Sequence, residues 1–137
     1  MKPNIEIVIV GNEILSGRTA DANAGYMRDR LLHAGFSVLC ISVVGDRMDD
    51  LVAQFIIVAG RADIALVTGG LGPTSDDMTV AALAAAFGRD LNEDETVLHH
   101  IRERFKRRNR FMSESNRKQA LIPEGAVPLP NPIGTAP

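Results

Sequence analysis

DIALVTGGLGPTSDDMTVAALAAAFG, residues 63–88, contains the three parts of a strand–loop–helix unit. Residues 63–68 are an apolar run typical of a buried strand, and glycines follow at positions 69, 70 and 72. Residues 76–87 are rich in alanine, the strongest helix former, and Gly88 then ends the predicted helix. Strand–helix units of this kind build parallel sheets with helices packed on their faces.

Two further units precede this one in the chain. Residues 5–10 and 36–44 are short apolar runs rich in β-branched residues, which predicts strands. Residues 21–33 and 49–59 have apolar side chains at helical spacing, and each is followed by a glycine. Because the apolar runs are continuous, we expect a sheet covered on both faces. The predicted fold class is α/β, a three-layer α/β/α sandwich with a mostly parallel sheet.

The last third of the chain predicts weaker elements. Residues 93–109 form an amphipathic helical pattern, with a capping box between Asn92 and Glu95. A short helix is expected over residues 114–121, stopped by a proline, and an edge strand over residues 126–130.

Composition limits the classes of function. A chain of 137 residues predicts one domain over residues 1–137, and its end in a proline-rich loop predicts that the natural domain continues past Pro137. The net charge is −2 and aromatic residues make up only 4%, which argues against nucleic acid as the partner and favours a solvated helix face for the basic run at 102–110. Neither a signal peptide nor a membrane span is predicted, so we expect a cytoplasmic protein with no membrane partner. The single cysteine, Cys40, excludes a cysteine-based zinc cluster and is expected in the core.

The glycine run suggests an anion site. In open parallel sheets ligands bind outside the carboxyl ends of the strands, where glycines let backbone N–H groups approach a phosphate. Gly69, Gly70 and Gly72 occupy that place, and a helix starting near Ser75 or Asp76 would direct its positive end there. The alternative is a tight glycine turn followed by a capped helix.

Acidic residues beside a phosphate indicate a metal ion. Mg²⁺ is held by one or two carboxylates together with phosphate oxygens, so Asp76 and Asp77 favour Mg²⁺ or another divalent metal at this site. Asp46 follows the second strand at the same edge and is the third candidate ligand. The polar residues that follow the first strand are Asn12, Glu13 and Ser16.

Four motifs resemble one known family. They are GNEILSG (11–17), TGGLGPTSDDMT (68–79), NRKQALIPEGA (116–126) and NPIGTAP (131–137). Together they are similar to the amino-terminal domain of competence/damage-inducible CinA proteins, within the molybdopterin-binding MoaB/MogA group. Asn12 stands where the family usually has threonine, and the family continues past the last motif with another strand and a loop.

The resemblance implies a MoaB/MogA-like fold and a pocket for molybdopterin or an adenine nucleotide. It implies catalytic roles for Asp46 and Asp77, and either adenylyl transfer to a pterin or metal-dependent hydrolysis of ADP-ribose-type pyrophosphates. Further ligand contacts are expected from Thr74 and from a second loop with Asn131, Gly134 and Thr135. Relatives also imply a homo-oligomer, a dimer or trimer. A non-enzymatic pterin- or nucleotide-binding or regulatory module is the alternative.

Overall fold

The computed structural model describes residues 2–137. Its strands are β1 (Ile5–Val10), β2 (Val38–Val44), β3 (Ile64–Thr68), β4 (Leu91–Glu93) and β5 (Leu121–Pro123). Its α-helices are α1 (Asn12–Leu15), α2 (Asn23–His33), α3 (Met48–Ala59), α4 (Thr79–Ala86) and α5 (Glu95–Arg107). A 3₁₀ helix spans Glu114–Ala120 and leads directly into β5.

The main sheet is parallel, in the order β2–β1–β3. Its central strand, β1, is buried along its whole length because helices cover both of its faces. Ile7 and Ile9 pack against α2 on one face, whereas Val8 and Val10 pack against α3 and α4 on the other. This arrangement confirms the predicted α/β fold with a mostly parallel sheet.

The edge strand β2 departs from the prediction of a fully covered sheet. Leu39, Ile41 and Val43 are 58%, 40% and 40% exposed. Ile41 pairs in register with Ile7, so these side chains lie on the face that α2 covers over β1. The continuous apolar run of β2 therefore reflects partial burial on one face and an exposed apolar stripe on the other.

Strands β4 and β5 form a second, antiparallel pair that the sequence analysis missed. Asn92 lies in β4 opposite Ile122, so the capping box predicted between Asn92 and Glu95 is wrong. Asp94 caps α5 instead, because its Oδ1 accepts a hydrogen bond of 2.9 Å from the N–H of Val97. The edge strand predicted at 126–130 is also wrong, since this segment has no regular structure.

Two other predictions concern the surface of the molecule. The basic run at 102–110 covers the C-terminal half of α5 and the residues after it. Cations there interact favourably with the negative end of the helix dipole. Within residues 2–137, no helix combines the length and the apolar character that crossing a bilayer requires.

Candidate functional site

The loops after β1, β2 and β3 meet at one edge of the sheet. The N–H of Gly11 donates to the carbonyl of Val44 at 3.0 Å, which joins the first two loops. Asn23 Nδ2 donates to Thr68 Oγ1 at 3.4 Å and joins the start of α2 to the end of β3. The loops that follow the three parallel strands therefore meet at the carboxyl edge of the sheet, where ligands bind in folds of this class.

The glycine loop after β3 is fixed by close backbone contacts. Gly69 and Gly70 have φ angles of +97° and +62°, in the left-handed region that glycine adopts most easily. A Cβ atom on Gly69 would overlap the carbonyl oxygen of Val10, and one on Gly70 would overlap Oγ1 of Thr79. The glycines thus allow β3 to turn directly over the end of β1.

Thr79 holds this loop from the start of α4, and sequence reasoning did not identify it. Its side chain is buried, its Oγ1 donates to the carbonyl of Gly69 at 2.7 Å, and its N–H donates to that of Gly70 at 3.2 Å. The helix begins here rather than near Ser75 or Asp76 as predicted, since residues 75–76 form a turn. A threonine at the first turn of a predicted helix is the signal that could have found it.

The side chain of Asp77 is held by hydrogen bonds from Thr74, three residues earlier in the same turn. Its Oδ2 accepts hydrogen bonds from the N–H of Thr74 at 2.9 Å and from Thr74 Oγ1 at 2.5 Å. A Cβ on Gly72 would come within 2.5 Å of the same oxygen, so glycine leaves the room for this carboxylate.

The carboxylates of this turn are held in the ionised form. Burial opposes ionisation of Asp77, but hydrogen bonds from Thr74 and Gly72 and the charge of Lys118 outweigh it and lower its pKa. The Thr74 hydroxyl is also the main cause of the lowered pKa of Asp76, an exposed residue. Both groups are therefore available as carboxylates at neutral pH.

The 3₁₀ helix braces the glycine loop from the other side. Lys118 Nζ donates to the carbonyl of Thr74 at 2.7 Å, and Gln119 Nε2 donates to that of Leu71 at 3.2 Å. Gln119 was missed entirely, because nothing in its local pattern shows that β4–β5 pairing carries this helix to the loop. Arg117, its neighbour, instead forms a salt bridge of 2.7 Å with Glu93 and lowers the pKa of that carboxyl.

Asp46 and Asn12 form a separate pair. The N–H of Asn12 donates to Asp46 Oδ2 at 3.0 Å, and the N–H of Asp46 donates to Asn12 Oδ1 at 3.3 Å. Glu13 turns back over Gly11, and Ser16 Oγ donates to the carbonyl of Glu13 at 3.2 Å. These side chains therefore organise the loops after β1 and β2.

The acidic residues do not form a ready-made metal cluster. In the part of the chain that the structure describes, no three or more His, Cys, Asp or Glu side chains gather where they could hold one ion. Asp46, Asp76 and Asp77 are therefore not brought together as a triad by the protein alone.

A cavity of about 50 Å³ lies beside the glycine loop. It is lined by Gly70, Gly72 and Asp77, by Lys118 and Gln119, and by Ala136 and Pro137. We call it the glycine-loop cavity. Three separate segments of the chain thus converge on it, and the first of them carries the groups that the sequence analysis selected.

The second predicted ligand loop is closed on itself. Asn131 Oδ1 accepts from the N–H groups of Ile133 and Gly134 at 3.0 and 2.8 Å, and its Nδ2 donates to the carbonyl of Ala136 at 2.8 Å. The Asn131 amide therefore shapes the loop. Asn131 and Thr135 line a different cavity, of about 300 Å³, beside α5.

Comparison with known proteins identifies the chain's relatives. The family described as "Probable molybdopterin binding domain" matches residues 6–137. A CinA-like protein of Shewanella frigidimarina is 46% identical over 132 residues, which are 96% of this chain and 31% of that protein. A CinA-like protein of Trichodesmium erythraeum shows the same identity and coverage. The chain spans about a third of the length of these curated relatives.

Solved structures show the same architecture. CinA from Thermoplasma acidophilum, described as of unknown function, superposes with a TM-score of 0.89 at 38% identity, over 99% of this chain and 79% of that one. The molybdopterin biosynthesis enzyme MoaB from Thermus thermophilus gives 0.58 at 19% identity, over 88% and 79% of the two chains. The second similarity shows the fold alone.

Proposed function

Because the chain belongs to the family of the probable molybdopterin binding domain, we propose that it binds a phosphate-bearing pterin or adenine nucleotide at the glycine loop. The observation that carries this proposal is the glycine-loop cavity, where unsubstituted glycine backbone, an ionised Asp77 and Lys118 converge. Lys118 and the backbone N–H groups suit phosphate oxygens, and Asp77 suits a cation that accompanies them.

The residues present could hold a divalent metal only if the phosphates of the bound ligand supplied some of its coordinating oxygens. Both Thr74 hydrogen bonds go to Oδ2 of Asp77, so Oδ1 is the oxygen we assign to the metal ion. Mg²⁺ takes one or two carboxylates and completes its shell with water and phosphate oxygens, which removes the need for a preformed triad. The ion would neutralise charge that develops on the phosphate oxygens.

We assign the chemistry to a phosphoanhydride bond, by hydrolysis of an ADP-ribose-type pyrophosphate or by nucleotidyl transfer to a pterin. Lys118 and the loop backbone would orient the phosphates. Asp77 would stay ionised because of its hydrogen bonds from Thr74. Asp46, fixed by Asn12 at the end of β2, is the proposed second functional carboxylate, and Asp76 is the exposed one beside Asp77.

Phosphorus NMR of the chain with ADP-ribose and Mg²⁺ tests this assignment. AMP and ribose 5-phosphate are the expected products, and Asp77→Asn should lower their rate of formation by about 100-fold or more, as loss of a catalytic group does. Asp90→Asn is the matched control, because Asp90 is an exposed carboxylate outside the cavity. Equal rates in the two variants would remove Asp77 from the chemistry.

The second candidate is a binding or regulatory module without turnover. One observation favours it: Asp77, Asn12, Asp46 and Asn131 are all engaged in hydrogen bonds that hold loop shape. Such a module would bind ADP-ribose or a pterin, which calorimetry would detect. The phosphorus NMR spectrum would show only intact ADP-ribose, with no AMP or ribose 5-phosphate.

A further inference from the structure

The larger cavity, which we call the α5 cavity, has the features of a binding site for a ring. It measures about 300 Å³, at the lower end of the range typical of small-molecule pockets. One wall is the N-terminal half of α5, with Val97 and His100, and the other is the segment 128–137, with Leu129 and Pro130. Its surface is mostly apolar with a few polar groups, as small-molecule pockets generally are.

The outer wall of this cavity is fixed without a ligand. Arg104 Nη1 donates to the carbonyl of Pro132 at 2.8 Å and ties the segment to α5. Asn131 closes the turn that follows, through its three hydrogen bonds. A preformed wall lowers the ordering cost of binding, so the cavity is suited to a rigid ligand.

His100 supplies a polar group that lacks a partner. Its Nε2 is shielded from solvent and makes no hydrogen bond within residues 2–137. A buried polar atom without a partner is unfavourable, and turning the imidazole so that this nitrogen faces the cavity, where a ligand can hydrogen-bond it, relieves that cost. The neutral imidazole can donate or accept, and the ring edge of a nitrogen heterocycle offers both kinds of partner.

The two cavities are neighbours. Pro137 lines both the α5 cavity and the glycine-loop cavity, and the carbonyl of the adjacent Ala136 is held by Asn131. We infer that the α5 cavity binds the nitrogen heterocycle of the ligand whose phosphates lie at the glycine loop. This inference rests on the proposed function for the phosphate half. The heterocycle is a purine or a pterin, which share apolar faces and a hydrogen-bonding edge.

Nitrogen-15 NMR with the two halves of the ligand tests this separation. Adenosine and unsubstituted pterin, each added alone, should shift the amide signals of Thr96, Val97 and His100. Ribose 5-phosphate with Mg²⁺ should shift Gly70, Gly72 and Asp77 instead. The ring that binds more tightly identifies the source of the heterocycle.

Two substitutions sharpen the test. His100→Leu keeps the apolar volume and removes the hydrogen bond, so it should weaken the preferred ring by about 10-fold. His99→Leu is the control, because His99 is exposed, adjacent in sequence and outside the cavity lining. Thr96→Trp, at an exposed position that lines the cavity, should block the ring altogether.

The outcomes separate the inference from the proposed function. If ADP-ribose shifts the glycine loop while no ring compound shifts α5, and His100→Leu binds like the unmodified chain, the α5 cavity is not the ring site. If adenosine or pterin shifts the amide signals of α5 while ribose 5-phosphate and ADP-ribose leave those of the glycine loop unchanged, the α5 cavity is a ring-binding site and the proposed phosphate site is wrong.

Discussion

Gly69 illustrates how a single position sets the geometry of the candidate site. Its φ of +97° turns the chain sharply after β3, and the carbonyl oxygen of Val10 occupies the space where a side chain would begin. Thr79 then holds the turned backbone through the Gly69 carbonyl. Loop shape therefore depends on one missing side chain and one buried hydroxyl, and any ligand contact with the loop backbone depends on both.

Replacing Gly69 by alanine should lower the free energy of unfolding by more than backbone strain alone would. A left-handed residue with a Cβ costs about 1–2 kcal/mol, and the clash with Val10 backbone adds to it, so we expect a loss of about 3 kcal/mol or more in unfolding free energy. Gly125→Ala is the matched control, with φ +80° and open space around its Cβ. Urea denaturation of both variants measures the difference, and equal losses would show that the contact with Val10 yields easily.

The ionised state of Asp77 predicts a pH dependence. A carboxyl whose pKa is lower in the folded state stabilises the fold above its unfolded value of about 3.9, and this stabilisation disappears as pH falls through the folded value. The advantage of the unmodified chain over Asp77→Asn should thus be constant from about pH 5 to 7 and shrink below about pH 4. Urea midpoints across this range measure it, and an advantage that stayed constant from about pH 7 to about pH 3 would contradict the prediction.

At the scale of elements, sequence periodicity identified the long and regular strands and helices. The three strands of the main sheet and helices α2, α3 and α5 were predicted because their apolar spacing extends over many residues. The pair β4–β5 was missed, since strands of three residues carry no periodicity and acquire their structure from pairing between residues that are 28 or more positions apart in the chain. That pair brings Lys118 and Gln119 to the glycine loop, so their contacts with the carbonyl groups of Thr74 and Leu71 were not readable from local sequence.

The start of α5 provides a test of which residue caps it. Asp94→Ala removes the acceptor of the Val97 N–H and should lower unfolding free energy by about 1 kcal/mol. Asn92→Ala, at the position that the sequence pattern favoured, should cost less, because the Asn92 side chain is exposed in β4. Urea unfolding decides between them, and a larger loss for Asn92→Ala would reinstate the capping box.

At the scale of the whole molecule, the two faces of the main sheet are unequal. Val8, Val10, Leu51, Phe55 and Ala82 are buried between the sheet and the α3–α4 layer. On the α2 side, Leu39, Ile41 and Val43 of the edge strand remain partly exposed. Leu15 at the end of α1 and Leu32 in α2 are exposed as well. Contiguous exposed apolar side chains are a feature of interaction surfaces. We propose this stripe as the contact of the expected homo-oligomer, through a second copy of the chain.

A charged residue in this stripe should therefore reduce the molecular mass in solution. Light scattering after size exclusion should give two or three times the 14.8 kDa of one chain for the unmodified protein, and one chain mass for Ile41→Glu. Ile57→Glu is the control, because Ile57 is an exposed apolar residue of α3, 53% accessible and outside the β2 stripe. A carboxylate at either site is solvated in a monomer, so folding tolerates both, whereas burial of an unpaired charge in an interface is strongly unfavourable. An oligomer that survives Ile41→Glu but dissociates in Ile57→Glu would move the interface to the α3 side.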